Sequence, residues 1–333
     1  MRLRVPLLNF SFLVAAMPPV ASGQPAPAVP ASRTFDFEYV ARIPASGSEG
    51  GKLRVWIPVP ESDRLQSISR LRIESPTGYV LHRDPEYKNQ YAYLELTEAQ
   101  SKAPLEVRLR FRVLRRENKV KLATSLSPVN QEKLPPEVMR FLQPDKLVPL
   151  QGQMSALAKQ ETEGLTQPLE KARAIYDYVV RTMKYDKSGE GWGRGDAIYA
   201  CTVRKGNCTD FHALLIGMMR AAGIPARFEI GFPLPADKIE GAIGGYHCWA
   251  QFYLPGAGWV PVDASEAWKQ PALREYFFGA HDPHRVLFTR GRDIRFNPAQ
   301  EGEPLNYFIY PYAERNGKPL KDIGWEFRFR DAR

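Results

Sequence analysis

Cysteine is scarce in this chain: there are three in 333 residues, and Cys201, Cys208 and Cys248 include no Cys-x-x-Cys pair. That spacing argues against a zinc ribbon, so neither a metal nor another cofactor is expected. Long apolar runs are lacking too. The stretch over residues 5–17 is interrupted by Asn9 and Ser11 and falls short of the ~20 residues that span a bilayer, so no membrane span is expected. The glycine-dense run over residues 189–195 is not followed by Lys-Ser/Thr, which excludes a phosphate loop. Charge of one sign is also in short supply. The formal +9 falls to +7 if residues 1–23 are removed, because Arg2 and Arg4 leave and that segment holds no acid. Lys and Arg are scattered, apart from residues 108–121, where they alternate with apolar residues as on the wet face of a strand. Nucleic acid is therefore not an expected partner.

What is present divides the chain into segments. Arg2 and Arg4, the apolar stretch and the small residues Ala21, Ser22 and Gly23 read as a secretory signal over residues 1–23, which predicts an exported protein, periplasmic or secreted. Residues 24–33 are rich in proline and alanine and read as a linker. Over residues 34–118 the period is close to two, with Phe35, Phe37 and Tyr39, then Leu53, Val55 and Ile57, then Leu105, Val107, Leu109, Phe111 and Val113. Turn clusters at Ser46-Gly47-Ser48 and Pro76-Thr77-Gly78 interrupt it. This predicts antiparallel strands in a β-sandwich-like N-terminal domain. A connecting segment spans 119–165.

The period then changes. Leu169, Ala172, Tyr176, Val179, Val180 and Met183 fall three and four apart, a helical stripe with Pro168 in the first turn. A second helix is predicted over 209–222, closed by Gly223 and Pro225, and strands over 226–232, 247–254 and 258–262. Residues 271–333 read as a β-rich extension with a hairpin at Asn316-Gly317.

An odd cysteine count in an exported chain leaves at least one thiol without an internal partner. Cys208 stands where the second helix begins, and free backbone amides with the helix dipole favour thiolate there. His247 opens one strand and Asp263 closes the next, so a hairpin turning at residues 255–257 can bring the imidazole and the carboxylate together as base and orienting group. Each residue also has a plainer reading: Cys208 as a small buried apolar group, His247 as a structural histidine, Asp263 as a turn cap with Ser265. His212 shares a helix face with Cys208 and is expected to pack or support. Cys201 and Cys248 could pair, and the connectivity is open. Trp192, Trp249, Trp259 and Trp268 cluster around these motifs as candidate cleft walls, and the loop over 189–195 as a mobile rim.

The segments GNCTDFHALLIGMMRAAGIPARFEIGF, YHCWAQFYLPG and GWVPVDAS together resemble the core of the transglutaminase-like superfamily, over roughly residues 170–268. The resemblance implies an α+β fold, a papain-like core in which the cysteine helix packs on an antiparallel sheet, here over residues 166–270. It further implies Cys208 as nucleophile, His247 as its base and Asp263 as the group that orients the histidine. Cys248 beside His247 departs from the pattern. Members hydrolyse peptides, cleave amides, crosslink glutamine to lysine or have lost activity, so the family alone does not name the reaction. The expected activity is a cysteine-dependent hydrolase or acyltransferase working on a peptide or protein substrate. The second reading is a non-catalytic peptide-binding or cell-wall-binding scaffold that uses the same cleft.

Overall fold

The computed structural model describes residues 29–46, 50–122 and 134–332. The signal at 1–23, residues 24–28 of the linker, and Gly47 and Ser48 of the first turn cluster lie outside them.

Alternation over the first part of the chain produces two five-stranded antiparallel sheets. One runs in the order Glu240–Ala242, Gly324–Asp331, Ser32–Ile43, Leu105–Arg116, Gln66–Glu74. The other runs Lys318–Pro319, Tyr312–Arg315, Leu53–Pro58, Gln90–Leu96, Val80–Arg83. Phe35, Phe37 and Tyr39 from the first and Leu53, Val55, Ile57 and Leu94 from the second are buried in one apolar core. The second sheet is covered on its other face as well. There Trp56, Tyr91 and Tyr93 pack with Ile294, Phe296 and Phe308.

Residues after 271 do not build a sheet of their own. Gly324–Asp331 pairs along Ser32–Ile43, and Tyr312–Arg315 pairs along Leu53–Pro58, so the C-terminal strands complete both N-terminal sheets. The Asn316-Gly317 hairpin forms, with φ of 48° and 75° at its two turn residues, the left-handed pair that such a turn requires.

The arginine-rich strand Leu105–Arg116 is only partly a wet face. Arg108, Arg110 and Arg112 point outward and pair with Glu38, Glu74, Glu106 and Asp36. Arg115 falls on the inward parity and is 1% exposed, with Nη1 donating to Gln66 Oε1 at 3.3 Å. Burial pulls its pKa down to about 10.

The helical stripe becomes the Pro168–Thr182 helix, whose Ala172, Tyr176, Val179 and Val180 are buried. The next long helix is Cys208–Ala221, and every residue from Cys208 to Arg220 is buried. This apolar helix packs on a third antiparallel sheet ordered Gly258–Val262, His247–Leu254, Ala226–Pro233, Arg285–Arg290. The chain is thus α+β, with the cysteine helix laid on an antiparallel sheet. Gly231 sits at a register shift in that sheet, where a Cβ would stand 1.8 Å from the Val286 carbonyl oxygen. Among the described residues no helix is long and apolar enough to cross a membrane.

Candidate active site

Cys208 is the first residue of its helix because Asn207 caps it. The Asn207 side-chain oxygen accepts from Thr209 N–H at 2.9 Å, and Asp210 reaches back to accept from Asn207 N–H at 2.9 Å. This reciprocal cap fixes where the helix starts and leaves first-turn amides, Cys208 among them, that the helix itself cannot satisfy. Asp210 has a second task. Its oxygens also accept from Gly193 N–H at 2.7 Å and Gly195 N–H at 3.0 Å, and Arg292 Nη1 donates to the Gly195 carbonyl at 2.7 Å.

The glycine-dense loop is therefore pinned to the cysteine helix rather than held as a free rim. Gly193 and Gly195, at φ of 84° and 62°, take the backbone geometry that aims their amides at one carboxylate. Asp210→Ala would strip the acceptor from three amides at once, each loss costing roughly 1–3 kcal/mol if the group stays buried. The expected outcome is a lower melting temperature with faster proteolytic cleavage within residues 189–195. Unchanged cleavage would show that Arg292 alone suffices to hold the loop.

The hairpin formed by His247–Leu254 and Gly258–Val262 brings its two ends together as expected. His247 Nε2 lies 2.7 Å from Asp263 Oδ2, which leaves Nδ1 as the free ring nitrogen. Asp263 divides its oxygens. Oδ1 accepts from Glu266 N–H at 3.0 Å and Ser265 Oγ at 3.1 Å and so caps the Ala264–Lys269 helix, while Oδ2 faces His247 and accepts from Arg285 Nη1 at 3.1 Å. One oxygen thus caps a helix, and the other faces His247 and Arg285.

Charge is concentrated here. Burial would neutralise His247, but the Asp263 carboxylate beside it overrides burial and pushes the imidazole up to about 10. Burial would likewise raise the Cys208 thiol. Hydrogen bonds from Cys248 and His247, together with the imidazolium charge, hold it well below the ordinary thiol range. Asp263 is buried but stays ionised, held low by His247 and Arg285. All three groups are held out of solvent, with Cys208 2%, His247 4% and Asp263 0% exposed.

Supporting groups surround it. His212 Nδ1 lies 2.8 Å from the Cys208 carbonyl oxygen, and its Nε2 lies 3.6 Å from Asp263 Oδ1. Burial lowers its pKa, so it is neutral and donates through Nδ1 to the carbonyl. The four tryptophans part company. Trp268 packs against Tyr185 and Phe211, and Trp192 lies in the glycine loop with Nε1 donating to the Gly189 carbonyl. Trp249 is fully buried beneath Arg285, and Trp259 lies under Arg227 at the far end of the hairpin. A cavity of about 290 Å³ opens beside His247, lined also by Glu266, Gln270 and Arg285.

Arg285 and Arg292 have no local sequence signal, since they reach the site from a strand and loop beyond its last motif. Asp210 does have one: its three-residue spacing from Asn207 is that of a capping box.

The profile of the transglutaminase-like superfamily matches residues 155–264, a span that includes Cys208, His247 and Asp263. An uncharacterized protein of Haemophilus influenzae is 30% identical over 324 residues, 87% of this chain and 88% of its own length. The uncharacterized protein YebA of Bacillus subtilis is 26% identical over 148 residues, 40% of this chain and 20% of its own. The crystal structure of a candidate cysteine protease from Cytophaga hutchinsonii shares the fold, with a TM-score of 0.65 at 18% identity over 91% of this chain and 92% of that one. With this fold, and with the family profile running across the cysteine helix and the hairpin, the chain belongs to the transglutaminase-like superfamily.

Proposed function

We propose that this chain is an exported thiol enzyme that acts on amide bonds of peptides or protein side chains through a thioester on Cys208. The observation that supports it most strongly is the placing of His247, whose Nε2 lies 2.7 Å from Asp263 Oδ2 and whose charge helps to hold low the thiol of Cys208, the first residue of a buried helix. The Cys208 thiolate attacks the amide carbonyl, and the developing oxyanion is met by the Cys208 N–H. The His247 imidazolium gives its proton to the leaving nitrogen, the C–N bond breaks, and a thioester remains. Water or an amine, deprotonated by the now neutral imidazole, then releases the acyl group. Export rests on the pattern of residues 1–23.

The test is incubation of the mature chain with a mixed peptide library and a tagged primary amine, read by mass spectrometry, with Cys208→Ala as the blank. Shortened peptides would indicate hydrolysis and tagged glutamines acyl transfer. No change relative to the blank would favour a binding protein instead.

The ion pair also sets a pH profile. A thiol held below its ordinary value stays ionised at pH values where a free thiol, near ~8.5, is protonated. Alkylation of Cys208 by iodoacetamide should therefore be almost as fast at pH 6.5 as at pH 9. Turnover should fall again above about pH 10, where His247 loses its proton. An alkylation rate that rises with a midpoint near ~8.5 would contradict the ion pair.

A further inference from the structure

The chemistry above leaves one sulfur of the site without a role. Cys248 follows His247 at the start of the strand, and its side chain reaches His212 on the cysteine helix. Its Sγ lies 3.7 Å from His212 Nδ1, the atom that is 2.8 Å from the Cys208 carbonyl oxygen. The neighbouring Cys248 thiol and backbone N–H help to hold the Cys208 thiol low, and the Cys208 charge in turn helps to raise Cys248. Both are reduced, and both are buried at the junction of a helix start and a strand.

We propose that Cys208 and Cys248 form a redox pair, in which a hydroperoxide oxidises Cys208 and Cys248 resolves the product as an intramolecular disulfide. The pair would silence the nucleophile reversibly and shield it from irreversible oxidation. The proposal rests on the reading of Cys208 as a reactive thiolate.

In the first step the thiolate sulfur attacks the peroxide. The O–O bond breaks, an S–O bond forms, sulfur loses two electrons, and hydroxide or alkoxide leaves. In the second step the Cys248 sulfur attacks the Cys208 sulfur. The S–O bond breaks, the S–S bond forms, and the hydroxyl departs as water with the Cys248 thiol proton. The division of labour follows from the surroundings. Cys208 is ionised and reacts first, whereas burial and the neighbouring Cys208 charge keep Cys248 protonated until a sulfenic acid appears beside it. A hydroperoxide needs no more access than the amide carbonyl that the same thiolate would attack. Cys201, on the Ala197–Val203 helix, has its pKa raised by burial and serves as an internal standard of slow reactivity.

The experiment compares wild type, Cys248→Ser and Cys248→Ala, each verified as folded by circular dichroism. Each is treated with one to five equivalents of hydrogen peroxide and then alkylated with iodoacetamide before and after dithiothreitol. Wild type is expected to lose Cys208 alkylation, to yield a peptide pair joined through Cys208 and Cys248, and to recover fully on reduction. The Cys248 variants are expected to gain two or three oxygens on Cys208 and to recover less than a tenth of the alkylation. Wild-type Cys208 that accumulates sulfinic acid without the joined peptides, or Cys248 variants that recover as well as wild type, would overturn the pair. Reduced Cys208 alkylated no faster than Cys201 would remove the reactive-thiolate reading itself, and the pair with it.

Discussion

Asp263→Asn is expected to fold and yet to lower turnover on an amide substrate about 10⁴-fold, the scale on which an orienting carboxylate acts in a Ser-His-Asp triad. The two oxygens of Asp263 have different partners. Oδ1 caps the Ala264–Lys269 helix through Glu266 N–H and Ser265 Oγ, and an asparagine carbonyl can accept the same two bonds. Oδ2 faces His247 Nε2 at 2.7 Å and Arg285 Nη1 at 3.1 Å. An amide nitrogen in its place is a donor confronting two donors. The imidazole would turn its lone pair to that nitrogen and carry its proton on Nδ1, where it cannot accept from Cys208. The imidazolium would also lose the charge that raises its pKa. Turnover against one peptide, with melting followed in parallel, checks this. A variant with near-normal turnover would remove the orienting role and leave Asp263 as a cap, while the Cys208–His247 pair would still stand.

Arg285→Met is expected to cost about 3–5 kcal/mol of stability, the range for breaking a buried ion pair from one side. Arg285 is 2% exposed; it donates to Asp263 Oδ2 at 3.1 Å and to Asp282 Oδ2 at 2.5 Å, and its guanidinium lies 4.8 Å from the centre of the Trp249 ring. Methionine would fill much of the volume but leave buried Asp263 and part-buried Asp282 without their shared counter-charge. Arg285→Lys should recover only part of the loss, since an ammonium cannot fork to two carboxylates and stack on the indole at once. Urea unfolding measures both variants. The folded fraction of Arg285→Met should still alkylate at Cys208, because Asp263 retains His247 as a partner. A loss below ~1 kcal/mol would show that water can replace the guanidinium, in line with the low value of solvent-accessible pairs.

Both predictions bear on how much of this protein could be read from its residues. The hairpin from His247 to Val262 and the helix beginning at Cys208 were legible, because each is a local object. Strand alternation, a glycine-bearing turn and a capped apolar helix are written within about fifteen consecutive residues, and the motif spacing placed Cys208, His247 and Asp263 at the ends of those elements. The same local logic held for the hairpin at Asn316-Gly317. It failed where parity met burial: Arg115 sits in an arginine-rich run that looks solvated, but its position on the strand points inward.

Composition, period and turn residues thus determined the element types and set Cys208, His247 and Asp263 at element ends, and the family resemblance implied the cysteine helix on its sheet. Only the tertiary structure decided what surrounds them. That the last strands close the two N-terminal sheets, that Arg285 shares a carboxylate with His247, that Asp210 holds the glycine loop, and that the Cys248 sulfur meets His212 of the cysteine helix are all contacts between residues distant in the chain. Such contacts leave no periodic trace, because the free energy of burying and neutralising a charge depends on the groups that folding carries to it and not on its neighbours in sequence.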